Sequence, residues 1–300
     1  MSLFPLKPLN AVLVRGVEVC WGVCLMSTLQ ERIAAFYDFL WPFLEEEGTR
    51  YGYLDASPGG RPMSELLDAI PSRRGVGAGS RVVDVGCGKG RQVVALARRL
   101  EGHVVGVDPL DQNLSLAAER ARREGVEGRV SFARGGIERL PLESSSVDFV
   151  WCLDMLNHAE DLERAMKECA RVLRPGGSMM NCSALATELL EPREAERVTW
   201  RLGLNPATLS RERMDAACEA AGLRVVEFGT TTDEGSPYLE ELDEGMARHA
   251  LRLAKVRRAR KQMESRLGAE ALEVLCAYDE WNIFLLLGKV TYGVWVLERG

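Results

Sequence analysis

The sequence predicts an α/β protein with a mostly parallel sheet covered by helices on both faces. Short β-branched runs alternate with amphipathic stretches from Arg81 onward, and the first run feeds straight into a glycine-rich turn. Arg81 to Val85 is the first strand, and Gln92 to Leu100 is a helix with Val93, Val94, Leu96 and Ala97 turned inward. His103 to Val107 is a second strand ending at Asp108, Leu114 to Arg123 a helix, Val130 to Ala133 a third strand and Val147 to Leu153 a fourth. Leu162 to Leu173 reads as a helix stopped by Pro175-Gly176-Gly177, and Ser178 to Ser183 follows as a fifth strand. Ser210 caps a helix that runs to Ala221 and stops at Gly222, after which Leu223 to Phe228 is a sixth strand. A mostly helical insertion occupies about 236–287, and Thr291 to Leu297 alternates as a final strand.

Upstream of this domain, which spans 71–300, two segments have a different character. Residues 1–25 are apolar but interrupted by Lys7, Arg15 and Glu18, so they are expected to form a poorly defined extension, with neither export nor membrane insertion. Residues 26–70 form a candidate helical lid: Leu29, Ile33, Phe36 and Leu40 recur at helical spacing, and aromatic rings crowd Phe36 to Tyr53. Those rings either bury the helix against the core or cover a ligand. Glycine, proline and serine between Pro58 and Ser80 mark the linker into the main domain.

Composition narrows the partners. With 46% hydrophobic and 27% charged residues the chain is an ordinary globular protein, and its net charge of −6 gives no global attraction to nucleic acid. Eight scattered cysteines, several inside apolar runs, predict reduced thiols and a cytoplasmic protein. Cys20 and Cys24 lie four apart, but no second Cys/His pair follows, so no metal is expected.

The segment that carries chemistry is Val82-Val83-Asp84-Val85-Gly86-Cys87-Gly88-Lys89-Gly90. Gly86 and Gly88 let the backbone turn tightly and approach a ligand, and the helix beyond offers N–H groups. A dinucleotide site places its third glycine five residues after the first, where this chain has Arg91, and it keeps negative charge away from pyrophosphate. Asp84 at the strand end would repel phosphate and suit a ligand carrying an amine and a sulfonium, which describes S-adenosylmethionine. Asp108 closes the second strand 24 residues later, beside the turn, where an acid can accept ribose hydroxyls.

These residues, with Gly106-Val107-Asp108, Glu138-Arg139-Leu140-Pro141-Leu142 before Val147-Asp148-Phe149-Val150, and Arg171-Val172-Leu173-Arg174-Pro175-Gly176-Gly177, resemble the class I S-adenosylmethionine-dependent methyltransferases over most of residues 80–183. The resemblance implies a Rossmann-like seven-stranded, mostly parallel sheet with an antiparallel last strand, an N-terminal helical lid and a helical cap inserted before that strand. Tyr37-Asp38 and Tyr51-Gly52-Tyr53 look like the N-terminal elements of the tocopherol, sugar and polyketide methyltransferases. By that resemblance Tyr37 contacts the methionine end of the cofactor, Asp84 and Gly86 its amine side, Asp108 the ribose, and Ile137, Glu138 and Leu153 the adenine and pocket floor, with Gly88, Gly90 and Pro109 also among the cofactor-binding residues. The chain departs from the family in having Gly136 where an acid often binds the adenine amino group, so Glu138 or nearby backbone must supply that acceptor.

Methyl transfer from a sulfonium needs alignment, water exclusion and removal of one proton, so few catalytic groups are required. Asp154-Met155-Leu156-Asn157-His158 follows the fourth strand at the carboxyl edge of the sheet, and His158 is the expected base, the alternative being that it packs or caps there. The stretch lacks the Asn/Asp-Pro-Pro-aromatic signature of DNA N-methylation, so DNA is not the expected substrate. Arg248, Arg252, Lys255, Arg257, Arg258, Arg260, Lys261 and Arg266 form either a solvated helix face or a contact for an anionic acceptor or RNA. The expected activity is therefore methylation of a small molecule. An RNA or protein methyltransferase, or a non-catalytic cofactor binder, is the alternative, and dimerisation is left open.

Overall fold

The structure, a computed structural model, describes residues 70–230 and 245–300, together with two short strands at Ala11–Val14 and Val17–Cys20 that pair antiparallel with each other. Tyr37 and the expected lid up to residue 69 lie outside the described residues.

Seven strands form the main sheet: β1 Arg81–Val85, β2 His103–Asp108, β3 Val130–Arg134, β4 Val147–Leu153, β5 Leu173–Ala186, β6 Leu223–Thr230 and β7 Val290–Arg299. Their spatial order is β3-β2-β1-β4-β5-β7-β6, with β7 antiparallel to both neighbours and the remaining pairs parallel. The order reverses between β1 and β4, and ligands of open α/β sheets bind in the crevice that such a reversal opens at the carboxyl edge. The helices are α1 Arg91–Leu100, α2 Asp111–Arg123, α3 Leu162–Val172, α4 Pro192–Leu202, α5 Arg211–Ala220, α6 Gly245–Leu267 and α7 Ala269–Leu286.

Strand pleating divides the core in two. Val82, Phe149, Trp151, Met180 and Val296 face α1 and the cap residues Leu272, Leu275, Trp281 and Phe284. Val83, Val85, Val150, Met179 and Leu297 face the α3 residues Ala165, Met166 and Cys169 and, on α5, Met214 and Cys218. The six described cysteines are free thiols, and five are buried. Among the described residues no helix is long and apolar enough to cross a membrane.

Two local readings of the sequence are corrected. Strand β5 begins at Leu173, which already pairs with Val147, and Pro175-Gly176-Gly177 bulges from the strand before Ser178 pairs with Phe149. Gly176 reaches φ +74°, and a Cβ on Gly177 would lie 2.9 Å from the Arg174 carbonyl oxygen, so the glycines permit a bulge where a helix stop was expected. Helix α4 had no counterpart in the sequence reading, although Glu191 and Glu194 make a reciprocal capping box around Pro192 at its first turn.

The insertion expected at about 236–287 contains the pair α6 and α7. Helix α7 lies on α4 through Arg197–Glu280 at 3.2 Å and Arg201–Glu273 at 3.0 Å. The cap leaves the sheet after Thr230, opposite Gly293, and returns at Val290, opposite Ala186, so both of its ends join the carboxyl edge. The basic run of α6 divides as well: Arg252 and Arg260 are taken up by acids, whereas Arg248, Lys255, Arg257, Arg258, Lys261 and Arg266 are exposed.

Close packing at the glycine turn gives a stability test. Gly90 sits at φ +76°, and a Cβ there would lie 2.7 Å from the Ala117 Cβ and 2.9 Å from its Cα, whereas Gly88 at φ +50° faces open space. Gly90→Ala should cost roughly 2–4 kcal/mol, summing left-handed strain and overpacking. Gly88→Ala should cost only the strain, about 1–2 kcal/mol. Urea titration of both variants measures the difference.

Candidate functional site

The site is assembled at the ends of β1, β2 and β4. Gly86 at φ +75° turns the chain out of β1, and the Gly86 and Cys87 N–H groups both donate to the Val107 carbonyl at 2.8 and 3.0 Å. This stitches the turn to the end of β2. A Cβ on Gly86 would lie 2.6 Å from the Met155 sulfur, so the residue after Asp154 covers the glycine turn from the β4 side. Met155 was quoted in the sequence reading without a role, and only the tertiary approach reveals one.

The Asp108 carboxylate fastens the turn to the β2 loop. One oxygen accepts from the Gly88 N–H at 2.9 Å, and the other accepts from the Leu110 N–H at 2.9 Å and Asn113 Nδ2 at 3.1 Å. Pro109 lies between Asp108 and Leu110 in this loop. A carboxylate has about four acceptor positions. A diol that takes both oxygens must therefore share with, or displace, one of these three donors. Asp108 also accompanies β3, since its carbonyl accepts from the Gly135 N–H at 3.2 Å.

Asp84 is the electrostatic focus. It is 2% exposed, and its Oδ2 has no hydrogen-bond partner among the described residues. Burial, and secondarily the Asp108 charge, push its carboxyl up to about 8. Trp151, its register neighbour on β4, likewise buries an indole N–H without an acceptor among the described residues. The same surroundings hold the Cys87 thiol well above its ordinary range, so no thiolate competes for a cation there. A buried acid short of a counter-charge fits a ligand that brings an amine and a sulfonium; a pyrophosphate in the same place would add a third negative group. The residues present therefore fit S-adenosylmethionine.

Around the expected adenine edge the residues separate. Ile137 is 4% exposed and packs with Leu140 in the core on the α3 side. The Glu138 carboxylate accepts the Asp161 N–H at 2.9 Å, and its carbonyl accepts from Arg164 Nε at 3.1 Å, so it anchors the start of α3 beside that edge. Leu153 ends β4 half-buried against the cap-side core. Asp154 then turns at φ +56°, uncommon for a residue with a side chain, and donates its N–H to the Cys182 carbonyl at 2.7 Å.

His158 lies in the short 3-10 turn Leu156–His158 and is buried. Its Nδ1 is 2.8 Å from the Gly203 carbonyl oxygen at the end of α4. A carbonyl only accepts, so Nδ1 carries the hydrogen and the basic lone pair of the neutral ring is on Nε2. Burial holds its pKa below 6.5, against the opposing pull of Gly203 and Asp154. The neighbouring Asn157 sets this geometry: its Oδ1 accepts the Ala184 N–H at 2.8 Å, and its Nδ2 donates to the Ala184 carbonyl and to Thr208 Oγ1, both at 3.1 Å. The Asn157 carbonyl accepts the Asn205 N–H at 2.8 Å, tying the Gly203–Thr208 segment to β4. Asn157, Asn205 and Thr208 were not assigned from sequence, and no local signal marks them.

A family model described as a methyltransferase domain matches residues 83–181. The chain is 32% identical over 198 residues to methyltransferase GfsG of Streptomyces halstedii, covering 64% of this chain and 71% of that protein. It is 31% identical over 167 residues to the 27-O-demethylrifamycin SV methyltransferase of Amycolatopsis mediterranei, covering 55% of this chain and 58% of that one. Among solved structures, the [4+2]-cyclase SpnF superposes with a TM-score of 0.68 at 21% identity, over 91% of this chain and 97% of that chain. Geranyl diphosphate C-methyltransferase from Streptomyces coelicolor A3(2) superposes at 0.65 with 16% identity, over 92% and 100%. At these identities the structural likeness carries the fold alone.

The raised Asp84 pKa sets the pH dependence of cofactor binding. The cationic ligand requires the carboxylate, so below about pH 8 binding must expel a proton. Affinity for S-adenosylmethionine should rise with pH, by up to about tenfold per unit, and level off above about 8. Asp84→Asn should abolish that slope along with tight binding. The sign for stability is opposite: a buried acid with a raised pKa lowers the stability of the ligand-free chain as pH climbs from about 4 to 8, so Asp84→Asn should melt several degrees higher at pH 8. Calorimetry and thermal melts across pH 6–9 check both.

Proposed function

Because the chain belongs to the class I S-adenosylmethionine-dependent methyltransferases of small molecules, we propose that it methylates a hydroxyl group of an acceptor held beneath the α6–α7 cap, with His158 receiving the hydroxyl proton. The observation that carries this reading is the Nδ1 contact to the Gly203 carbonyl, which presents the imidazole as a neutral base whose lone pair is on Nε2. Relatives whose names point to O-methylation include the rifamycin enzyme, a ubiquinone biosynthesis O-methyltransferase and an erythromycin 3''-O-methyltransferase. A hydroxyl is the acceptor that needs a base, since its proton must leave as the new bond to carbon forms.

The cofactor supplies an electrophilic methyl on a good leaving group. Asp84 and Asp108 hold its cationic and hydroxylic parts, Gly86 permits close approach, and Met155 with Leu153 walls the crevice against water. His158 accepts one proton per methyl transferred, while Asn157 and Asn205 keep its ring in register. The exposed cations of α6 have no part in this chemistry, so neither an anionic acceptor nor RNA is required.

Incubation with methyl-labelled S-adenosylmethionine and 27-O-demethylrifamycin SV, alongside a panel of simpler hydroxylic, amine and phosphorylated acceptors, tests the reading. Label on hydroxyl oxygen is expected; label confined to amines, or none at all, rejects it. With the acceptor so identified, His158→Ala should lower kcat by about 10²–10⁴-fold while cofactor affinity is preserved. Because burial lowers the His158 pKa, the acid limb of the kcat/KM profile should fall below pH 6.5. Charge reversal at Arg257 and Arg258 should leave the acceptor KM unchanged, and a rise would restore an anionic acceptor or RNA.

A further inference from the structure

A second histidine is built into the roof of the same edge. His249, in the second turn of α6, is 6% exposed, and its Nδ1 lies 2.7 Å from Oδ1 of Asp279 on α7, which is fully buried. Arg252 donates to that carboxylate from two nitrogens, Nε to Oδ2 at 2.8 Å and Nη2 to Oδ1 at 2.6 Å. A carboxylate oxygen accepts, so the 2.7 Å contact is a hydrogen bond donated by Nδ1–H, and Nε2 is the remaining polar atom of the ring. Among the described residues no hydrogen bond to Nε2 is formed.

The row of polar groups continues toward the sheet. The Tyr278 ring stands edge-on to His249 with centroids 5.6 Å apart, and Asp154 at the end of β4 acts electrostatically on both Tyr278 and His158. Tyr278 and His249 are carried by a cap whose ends both join the carboxyl edge. A latch between two cap helices would be complete with Arg252 and Asp279 alone. The imidazole adds one hydrogen-bond acceptor, aimed away from the ion pair.

We propose that His249, oriented by Asp279 and Arg252, is a second acceptor-positioning group whose Nε2 accepts a hydrogen bond from a second hydroxyl of the substrate. The preferred acceptors are then polyols or diols with one hydroxyl at His158 and another at the cap. His249 takes up no proton in this role, and the methyl-transfer step is unchanged. The proposal rests on the reading of the acceptor site given above, and its test separates the two.

The chain has three histidines, and His103 is exposed on β2, so each can be followed by mass spectrometry after diethyl pyrocarbonate treatment. In the unmodified protein loaded with S-adenosylhomocysteine, His249 should be carbethoxylated at a rate within about tenfold of His103 and protected by millimolar 27-O-demethylrifamycin SV, a factor of ten being about one hydrogen bond's worth of difference. An inert His249, or one that the polyol does not protect, makes it a structural latch and overturns the proposal, whether or not the compound is methylated. With an acceptor that is turned over, His249→Gln should raise KM about tenfold for a diol, leave KM for its mono-deoxy analogue unchanged and keep kcat within about twofold. Equal KM changes for both acceptors would also reject it.

Discussion

The arrangement at the carboxyl edge depends on one buried acid that has no counter-charge among the described residues. Asp84 ends β1 with an oxygen that no described residue satisfies, and the acid nearest to it, Asp108, makes its ionisation harder. Placing a carboxylate there costs several kcal/mol if it is ionised, and burial with the Asp108 charge pushes its pKa up to about 8, so the acid keeps its proton at neutral pH. The flanking valines and the packing of Val82, Phe149 and Trp151 keep the strand end dry, so the same residues that stabilise the sheet make the vacant acid unfavourable.

The glycine turn is the geometric counterpart of that charge. The Gly86 and Cys87 N–H groups go to the Val107 carbonyl, that of Gly88 to Asp108 and that of Gly90 to the Cys87 carbonyl, so these four do not point at an anion. A phosphate-binding turn does the reverse, pointing its N–H groups at the anion. Sheet and helix are common to both kinds of site. The direction of the backbone dipoles and the sign of one side chain separate them.

How much of this was legible in the sequence follows from chain distance. The three glycines, Asp84 and Asp108 lie at or just beyond the ends of the first two strands, where spacing alone determines their relative positions, and most of the seven strands were signalled by β-branched runs. The partner of His158 is 45 residues away and that of His249 is 30, each on another helix, so neither pair carries a local pattern. The basic run of α6 could not be divided from sequence for the same reason. Arg252 and Arg260 differ from Arg257 and Arg258 only in facing the Asp279 and Glu273 side chains of α7. Helix α4 was overlooked because a glutamate rather than a serine or aspartate opens its capping box.

The solved structures that share this fold include a cyclase and a C-methyltransferase. A fold shared by two chemistries cannot choose between them, so the choice falls to what stands over the carboxyl edge. In this chain that is a two-helix cap tied to α4 by Arg197–Glu280 and Arg201–Glu273, and α4 in turn presents the Gly203 carbonyl that sets the tautomer of His158. Cap, α4 and His158 are therefore linked mechanically. Under the proposed reading, a change in how the cap seats on α4 moves His158 relative to the glycine turn, which couples the cap to the choice of acceptor atom.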